Sequence, residues 1–161
     1  MEYTTLSNGV QMPLEGFGVF QIHDLDECER VVLDAIDTGY RMIDTAASYG
    51  NETAVGKAIA KTGVNRADLF IATKLWVTDA SYEGAKAAIR RSMDNLGVDY
   101  IDLYLIHQAM GDYIGAWRAI TEAYKGGKIR AIGVCNFYPH RLADFCETVG
   151  QLPMVNQVEL L

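Results

Sequence analysis

Four residues with chemically useful side chains fall in or just after short apolar runs. They are Asp44 in RMIDT, Tyr49 in SYGNE, Lys74 in LFIATKL and His107 at the end of YIDLYLIH. Each has an ordinary explanation when taken alone: a helix cap, a loop aromatic, an amine snorkelling to the surface, a satisfied core histidine. Lys74 is the hardest to dismiss, because an ammonium inside an apolar run is costly without a partner. Together the four suit one reaction, the transfer of hydride to a carbonyl. Negative charge then grows on the carbonyl oxygen, which must be protonated or stabilised. A phenol with an ordinary pKa of about 10 is a weak acid at neutral pH. A nearby ammonium stabilises the phenolate, so Lys74 is expected to lower the pKa of Tyr49. Asp44 would hold the ammonium by ion pairing, and His107 would orient the carbonyl through a hydrogen bond.

Such groups need a scaffold that delivers them to one place. The chain supplies short apolar runs at 16–20, 41–45, 69–75, 100–107, 129–136 and 154–160. Their length and their Ile, Val, Leu and Phe content predict strands buried on both faces. Helical periodicity fills the gaps. Cys28, Val31, Val32, Ala35 and Ile36 make one stripe in 25–38, and Val55, Ala58 and Ile59 another in 52–62. Further stripes occupy 81–96, 112–125 and 139–149, with Ser81 as a cap and Gly39, Gly97 and Gly126 as stops. Before the first of these runs, Asn8-Gly9 in residues 3–12 predicts a hairpin with a two-residue turn.

Strand and helix alternate five times, as in a parallel α/β sheet. A doubly wound sheet and a (β/α)₈ TIM barrel both have this pattern. The length of 161 residues favours the former, since a complete barrel needs about 250. The polar residues favour the latter. Asp44, Lys74, His107, Asn136 and Gln157 lie at or near the carboxyl ends of five separate runs, 30, 33, 29 and 21 residues apart. A barrel collects its site in this way, whereas a doubly wound sheet concentrates it at one switch point, commonly behind a Gly-rich turn. GFGVF contains no GxGxxG. The expected fold is therefore an incomplete barrel of one domain, 1–161, with an N-terminal hairpin, six parallel strands and five helices.

Composition narrows the partners. Acidic residues outnumber basic ones, 21 to 14, for a formal charge of −7. That disfavours general affinity for nucleic acid or anionic membranes. No apolar run approaches the ~20 residues of a membrane span, and the first residues lack the pattern of a signal peptide. Cys28, Cys135 and Cys146 show no metal-binding spacing and are read as buried thiols in a reducing cytoplasm.

With these segments in order, the sequence resembles the aldo-keto reductases. The resemblance rests on GFGVF, RMIDTAASYGNE with the following VGKAI, LFIATKLW, LGVDYIDLYLIH, GKIRAIGVCNF and NQVEL. It implies a (β/α)₈ barrel and reduction of a small carbonyl substrate by NADP(H), with NAD(H) as the alternative. It also implies Asp44, Tyr49, Lys74 and His107 as the catalytic set. Gly18, Val19, Asp44, Cys135, Asn136 and Gln157 match cofactor-binding positions, and Phe20, Tyr49, Trp76 and His107 substrate-binding ones. No metal is implied.

The chain departs from the family pattern in three places. Cys135 stands where serine is common, Gln108-Ala109-Met110-Gly111 replaces an aromatic and proline after His107, and the chain stops about two-thirds of the way through a barrel. Two readings follow for that length. The chain is the N-terminal part of a reductase, or it is a non-catalytic, cofactor-sensing, regulatory or partner-completed fragment. Open sheet edges would in either case favour self-association.

Overall fold

The computed structural model describes residues 1–159; the strand expected over 154–160 therefore has its last residue, Leu160, outside the described part. A two-stranded antiparallel hairpin, β1 (Tyr3–Thr5) and β2 (Gln11–Pro13), comes first. Six parallel strands follow: β3 (Gly16–Gly18), β4 (Met42–Asp44), β5 (Phe70–Leu75), β6 (Ile101–Ile106), β7 (Ile129–Cys135) and β8 (Val155–Gln157). Between them run α1 (Leu25–Thr38), α2 (Glu52–Lys61), α3 (Tyr82–Leu96), α4 (Tyr113–Lys125) and α5 (Pro139–Thr148).

The strand order separates the two candidate architectures. Each strand pairs with its sequence neighbours, β3-β4-β5-β6-β7-β8, and every pair is parallel. A doubly wound sheet reverses its order at a switch point, whereas a barrel wall runs on in one direction. The chain therefore forms six successive strands of a (β/α)₈ wall. Among the described residues, β3 and β8 each have a single neighbour.

Period-two alternation assigns the two faces. Ile43, Ile71, Tyr104, Ile132 and Val134 point outward and pack under the helices, against Val32, Ile36, Val55, Ala88, Ile120 and Phe145. Met42, Phe70, Ala72, Leu103, Leu105, Ala131 and Cys135 point inward and form a second cluster with Leu6, Val10 and Met12 of the hairpin. The hairpin thus caps the amino end of the barrel interior, and Asn8 Nδ2 donates to the Arg130 carbonyl at 2.9 Å. Gly133 lets β7 and β8 approach: a Cβ there would lie 2.4 Å from the Val155 carbonyl oxygen.

Helix ends follow local chemistry. Asp24, Ser81 and Asp112 accept backbone N–H groups at the starts of α1, α3 and α4, while Gly39 and Gly97 close α1 and α3 in the left-handed conformation. The hairpin turn differs from expectation. Leu6 faces Val10, and three residues, Ser7-Asn8-Gly9, make the loop, with Gly9 at φ 87°. A type I turn closed by a left-handed glycine is the usual three-residue solution, because its geometry matches the strand twist. Some strands are also shorter than their apolar runs. Val19 and Phe20 leave β3, and Asn136 leaves β7 with φ 59°.

Candidate active site

Inward alternation carries Asp44 from the β4 pair Met42/Asp44 and Lys74 from the β5 series Phe70/Ala72/Lys74. It brings His107 just past β6, Cys135 from β7 and Gln157 from β8 to the same rim. Lys74 is 1% exposed. Its Nζ donates to Asp44 Oδ1 at 2.9 Å and Oδ2 at 2.7 Å, and to the Thr45 carbonyl at 3.0 Å. The same nitrogen lies 3.5 Å from the Tyr49 hydroxyl. Asp44 is therefore an ion-pair partner and not a helix cap.

Tyr49 ends a short 3-10 turn, Ala47–Tyr49, that Asn51 fastens to its surroundings. Asn51 Oδ1 accepts from the Thr45 hydroxyl at 2.8 Å, and its Nδ2 donates to the Val19 and Ile22 carbonyls at 3.0 and 3.1 Å. Glu52, also buried, accepts from Thr73 at 2.7 Å and from Asn95 at 3.1 Å, which ties the start of α2 to β5 and α3. Neither residue was singled out from sequence. The available signal was two polar residues directly before an apolar helical stripe, where burial demands partners. Asp102 gives a further signal of this kind, since it interrupts the buried run of β6 as Lys74 interrupts β5. It accepts from Arg66, Arg130 and the Ile71 N–H, each within 2.9 Å, at the far end of β6 from His107.

A cleft of about 460 Å³ opens in front of Tyr49, lined by Phe20, Ser48, Tyr49, Trp76, His107, Gln108, Cys135, Asn136, Gln157, Val158 and Glu159. Seven of the residues predicted for the site meet on this cleft, and Asp44 and Lys74 stand behind Tyr49. Gly18 and Val19 do not line it: Gly18 ends β3, while Val19 is fully buried and its carbonyl is held by Asn51. Four rings form a continuous wall. Phe20 to Tyr49 measures 5.0 Å between centroids, Tyr49 to His107 5.7 Å and His107 to Trp76 5.1 Å. On the other side, Asn136 Nδ2 donates to the His107 carbonyl and to Cys135 Sγ, both at 3.2 Å, and Cys135 Sγ lies 3.7 Å from Gln157 Oε1.

Burial dominates the electrostatics. It raises the Tyr49 phenol above its ordinary value, and the Lys74 ammonium opposes that without overcoming it. The expected net lowering of the phenol is therefore not found, because desolvation of the phenolate outweighs one attractive charge. Burial likewise raises the Asp44 carboxyl, against the pull of Lys74. His107 is pushed down to about 4, first by burial and then by Lys74, so its ring is neutral at pH 7. The Cys135 thiol is pushed up to about 11 by burial. Of the three cysteines, Cys28 and Cys135 are buried as expected and Cys146 is only partly so.

The arrangement offers a phenolic proton at the cleft surface, a buried ammonium behind it and a neutral imidazole beside it. Amides and a protonated thiol stand opposite, positioned to bind uncharged polar groups. Among the described residues, no group of acidic, His and Cys side chains forms a metal site, and no helix is long and apolar enough to cross a membrane.

Comparison with known proteins agrees with this geometry. A sequence model of the Aldo/keto reductase family matches residues 16–160. An uncharacterised oxidoreductase, YtbE, of Bacillus subtilis is 50% identical over 96% of this chain and 57% of its own length. Glyoxal reductase of the same organism is also 50% identical, over 96% of this chain and 56% of its own length. The crystal structure of an aldo/keto reductase from Brucella melitensis superposes with a TM-score of 0.95 at 42% identity, covering 99% of this chain and 63% of that one. A Bombyx mori aldo-keto reductase solved in complex with NADP gives 0.91 at 34% identity, covering 99% and 58%. The chain thus spans a little over half the length of the curated relatives it matches.

Proposed function

The chain belongs to the aldo-keto reductase family, and on that premise we propose that the protein reduces an aldehyde or ketone to the alcohol with Tyr49 as proton donor. The observation that carries the reading is the Tyr49 hydroxyl on the cleft wall, 3.5 Å from an ammonium held by Asp44. NADPH, when bound, supplies the hydride. Tyr49 gives its proton to the carbonyl oxygen as negative charge develops there, and Lys74 stabilises the phenolate left behind. Asp44 keeps Lys74 charged and in place. The neutral His107 donates one hydrogen bond to the same oxygen and orients the carbonyl between itself and Tyr49. Phe20 and Trp76 flank the substrate.

The cofactor assignment rests on donor chemistry. Asn136, Gln157 and Cys135 bring two amides and a protonated thiol to the cleft beside Tyr49, which suits the carboxamide of a nicotinamide ring. Gly18 and Val19 do not line the cleft, and the Val19 N–H and carbonyl are taken by Asp44 and Asn51, so they are given no part in holding the ring. No Lys or Arg lines the cleft among the described residues, so the groups present match the nicotinamide end of a dinucleotide and not its phosphates. NADPH is taken as the donor on the strength of the Bombyx mori structure. The unpaired thiols suit a reducing cytoplasm, and β3 and β8, each with one neighbour among the described residues, suit self-association, which sedimentation at two concentrations would reveal.

The test is loss of NADPH absorbance with a reactive aldehyde, comparing wild type with Tyr49→Phe. A fall of roughly 10²- to 10⁴-fold is expected for removal of the general acid. Equal rates would remove Tyr49 from that role.

A further inference from the structure

The Tyr49 hydroxyl and the Lys74 ammonium are 3.5 Å apart, at the outer limit of a hydrogen bond. A contact that long exerts little force of its own, so the elements on either side of it set the distance. Lys74 is fixed by β5 and by Asp44. Tyr49 ends a single 3-10 turn whose start no side chain caps, and Gly50 follows it at φ 71°. The turn therefore takes its place from the two residues after that glycine, Asn51 and Glu52, where α2 begins.

These two residues bind in different directions. Asn51 holds the Thr45 hydroxyl and the carbonyls of Val19 and Ile22, on the side of β3 and β4. Glu52 faces β5. It is 3% exposed, and its Oε1 accepts from the Thr73 hydroxyl at 2.7 Å. Thr73 directly precedes Lys74, and strand alternation puts it on the outer face of β5 while Lys74 lies on the inner one. One carboxylate oxygen thus pins the start of α2 to the strand that carries the ammonium. The other accepts from Asn95 of α3 at 3.1 Å. One turn later, Gly56 lets α2 lie against the end of α3, since a Cβ there would be 2.6 Å from the Asn95 carbonyl oxygen. Hydrogen bonds to a carboxylate are the stronger kind, which suits a link that must hold a neighbouring contact at a set length. Glu52 does not itself line the cleft.

We propose that Glu52 is a positioning residue for Tyr49. By holding the start of α2 on Thr73, it sets the reach of the Tyr49 hydroxyl to Lys74 without touching substrate or cofactor. The inference rests on the reductase reading and adds to it the group that fixes the proton donor in place. Loss of the link lets the Tyr49 turn move relative to Lys74, so proton donation slows while binding in the cleft stays as it was.

The experiment measures kcat and KM with benzaldehyde and NADPH in wild type, Glu52→Ala, Glu52→Gln, Thr73→Val, the Glu52→Ala/Thr73→Val double variant, Ala58→Gly and Tyr49→Phe. Glu52→Ala and Thr73→Val are each expected to lower kcat roughly 10- to 100-fold with KM within about twofold of wild type, as for a displaced proton donor. The double variant should be no slower than the slower single one, because both changes remove one link. In Glu52→Gln the amide oxygen still accepts from Thr73, and kcat should recover to within about fivefold of wild type. Ala58→Gly weakens α2 without touching the link and should leave kcat within about twofold of wild type. Should Glu52→Ala not fold, Thr73→Val and Glu52→Gln carry the test. A fall in kcat that Ala58→Gly shares, or that the double variant compounds, overturns the proposal. If Tyr49→Phe is slow while Thr73→Val keeps the wild-type kcat, only this inference falls. If Tyr49→Phe matches wild type, or wild type shows no turnover, the reductase reading falls and this inference with it.

Discussion

Lys74 and Asp44 sit on adjacent parallel strands, and the Lys74 ammonium meets both oxygens of the Asp44 carboxylate, at 2.9 and 2.7 Å. The pair needs the sheet: 30 residues of chain separate its members, and the β4–β5 pairing brings them together. With Lys74 1% exposed and the Asp44 side chain 18% exposed, the charges depend on each other for solvation.

Asp44→Asn strands that ammonium. Breaking a buried pair by removing one partner is strongly destabilising, and a loss of about 3 kcal/mol is expected. Urea denaturation measures it. Asp44→Asn with Lys74→Met should recover most of the loss without restoring reduction, since the charge that stabilises the Tyr49 phenolate stays absent. A double variant as unstable as the single one would contradict this account.

His107 makes a separable contribution to acid stability. Its pKa is near 6.5 when unfolded and about 4 when folded, so the folded state binds the proton less well. The stabilisation is fully present above pH 6.5 and is lost as pH falls from there towards 4. It amounts to about 3 kcal/mol at neutral pH. His107→Gln should flatten this limb of the stability profile relative to wild type. A limb of equal steepness in both proteins would place the titration elsewhere.

The Tyr49 phenol, raised by burial, keeps its proton through the neutral range. Reduction is therefore expected to run at a level kcat/KM from about pH 6 to 9, well above the His107 value of about 4 and below the ordinary Tyr value. A decline beginning near pH 7 would show a phenol much more acidic than its burial implies.

Asn51 joins the Tyr49 turn to the loop after β3 through three hydrogen bonds. Asn51→Ala leaves the Val19 and Ile22 carbonyls without these partners, at a cost of about 2–3 kcal/mol. Amide hydrogen exchange should accelerate in 19–22 and 45–50 before the rest of the sheet. Acceleration spread evenly over the chain would mean that Asn51 does not act locally.

Thiol reactivity follows burial. With its pKa pushed up to about 11, Cys135 carries roughly one thiolate in a thousand at pH 8. A short treatment with iodoacetamide, read by mass mapping, should label the half-buried Cys146 before Cys135 or Cys28. Labelling of Cys135 as fast as Cys146 would show that the rim opens in solution.

The repeating order of strands and helices was legible in the chain because burial on both faces, helical periodicity and glycine stops are local signals. Asp24 and Ser81 cap where short polar side chains precede amphipathic stripes, and five rim residues recur at near-βα spacing. Lys74 was conspicuous for the same local reason, as a charge inside an apolar run. Asp102, a charge inside the apolar run of β6, carries an equal signal. The three-residue turn at Ser7-Asn8-Gly9 was misjudged because Asn-Gly suits more than one loop length, and the cross-strand register chooses among them.

Sequence by itself determined which residues have useful chemistry and which stretches form each strand and helix. Tertiary structure alone decided that Asp44 pairs with Lys74 and that Asn51 ties the Tyr49 turn to Val19. It also decided that burial outweighs Lys74 in setting the Tyr49 phenol. The physical reason is distance: contacts between residues 30 or more positions apart, and the desolvation they impose, exist only once the strands have paired and closed water out.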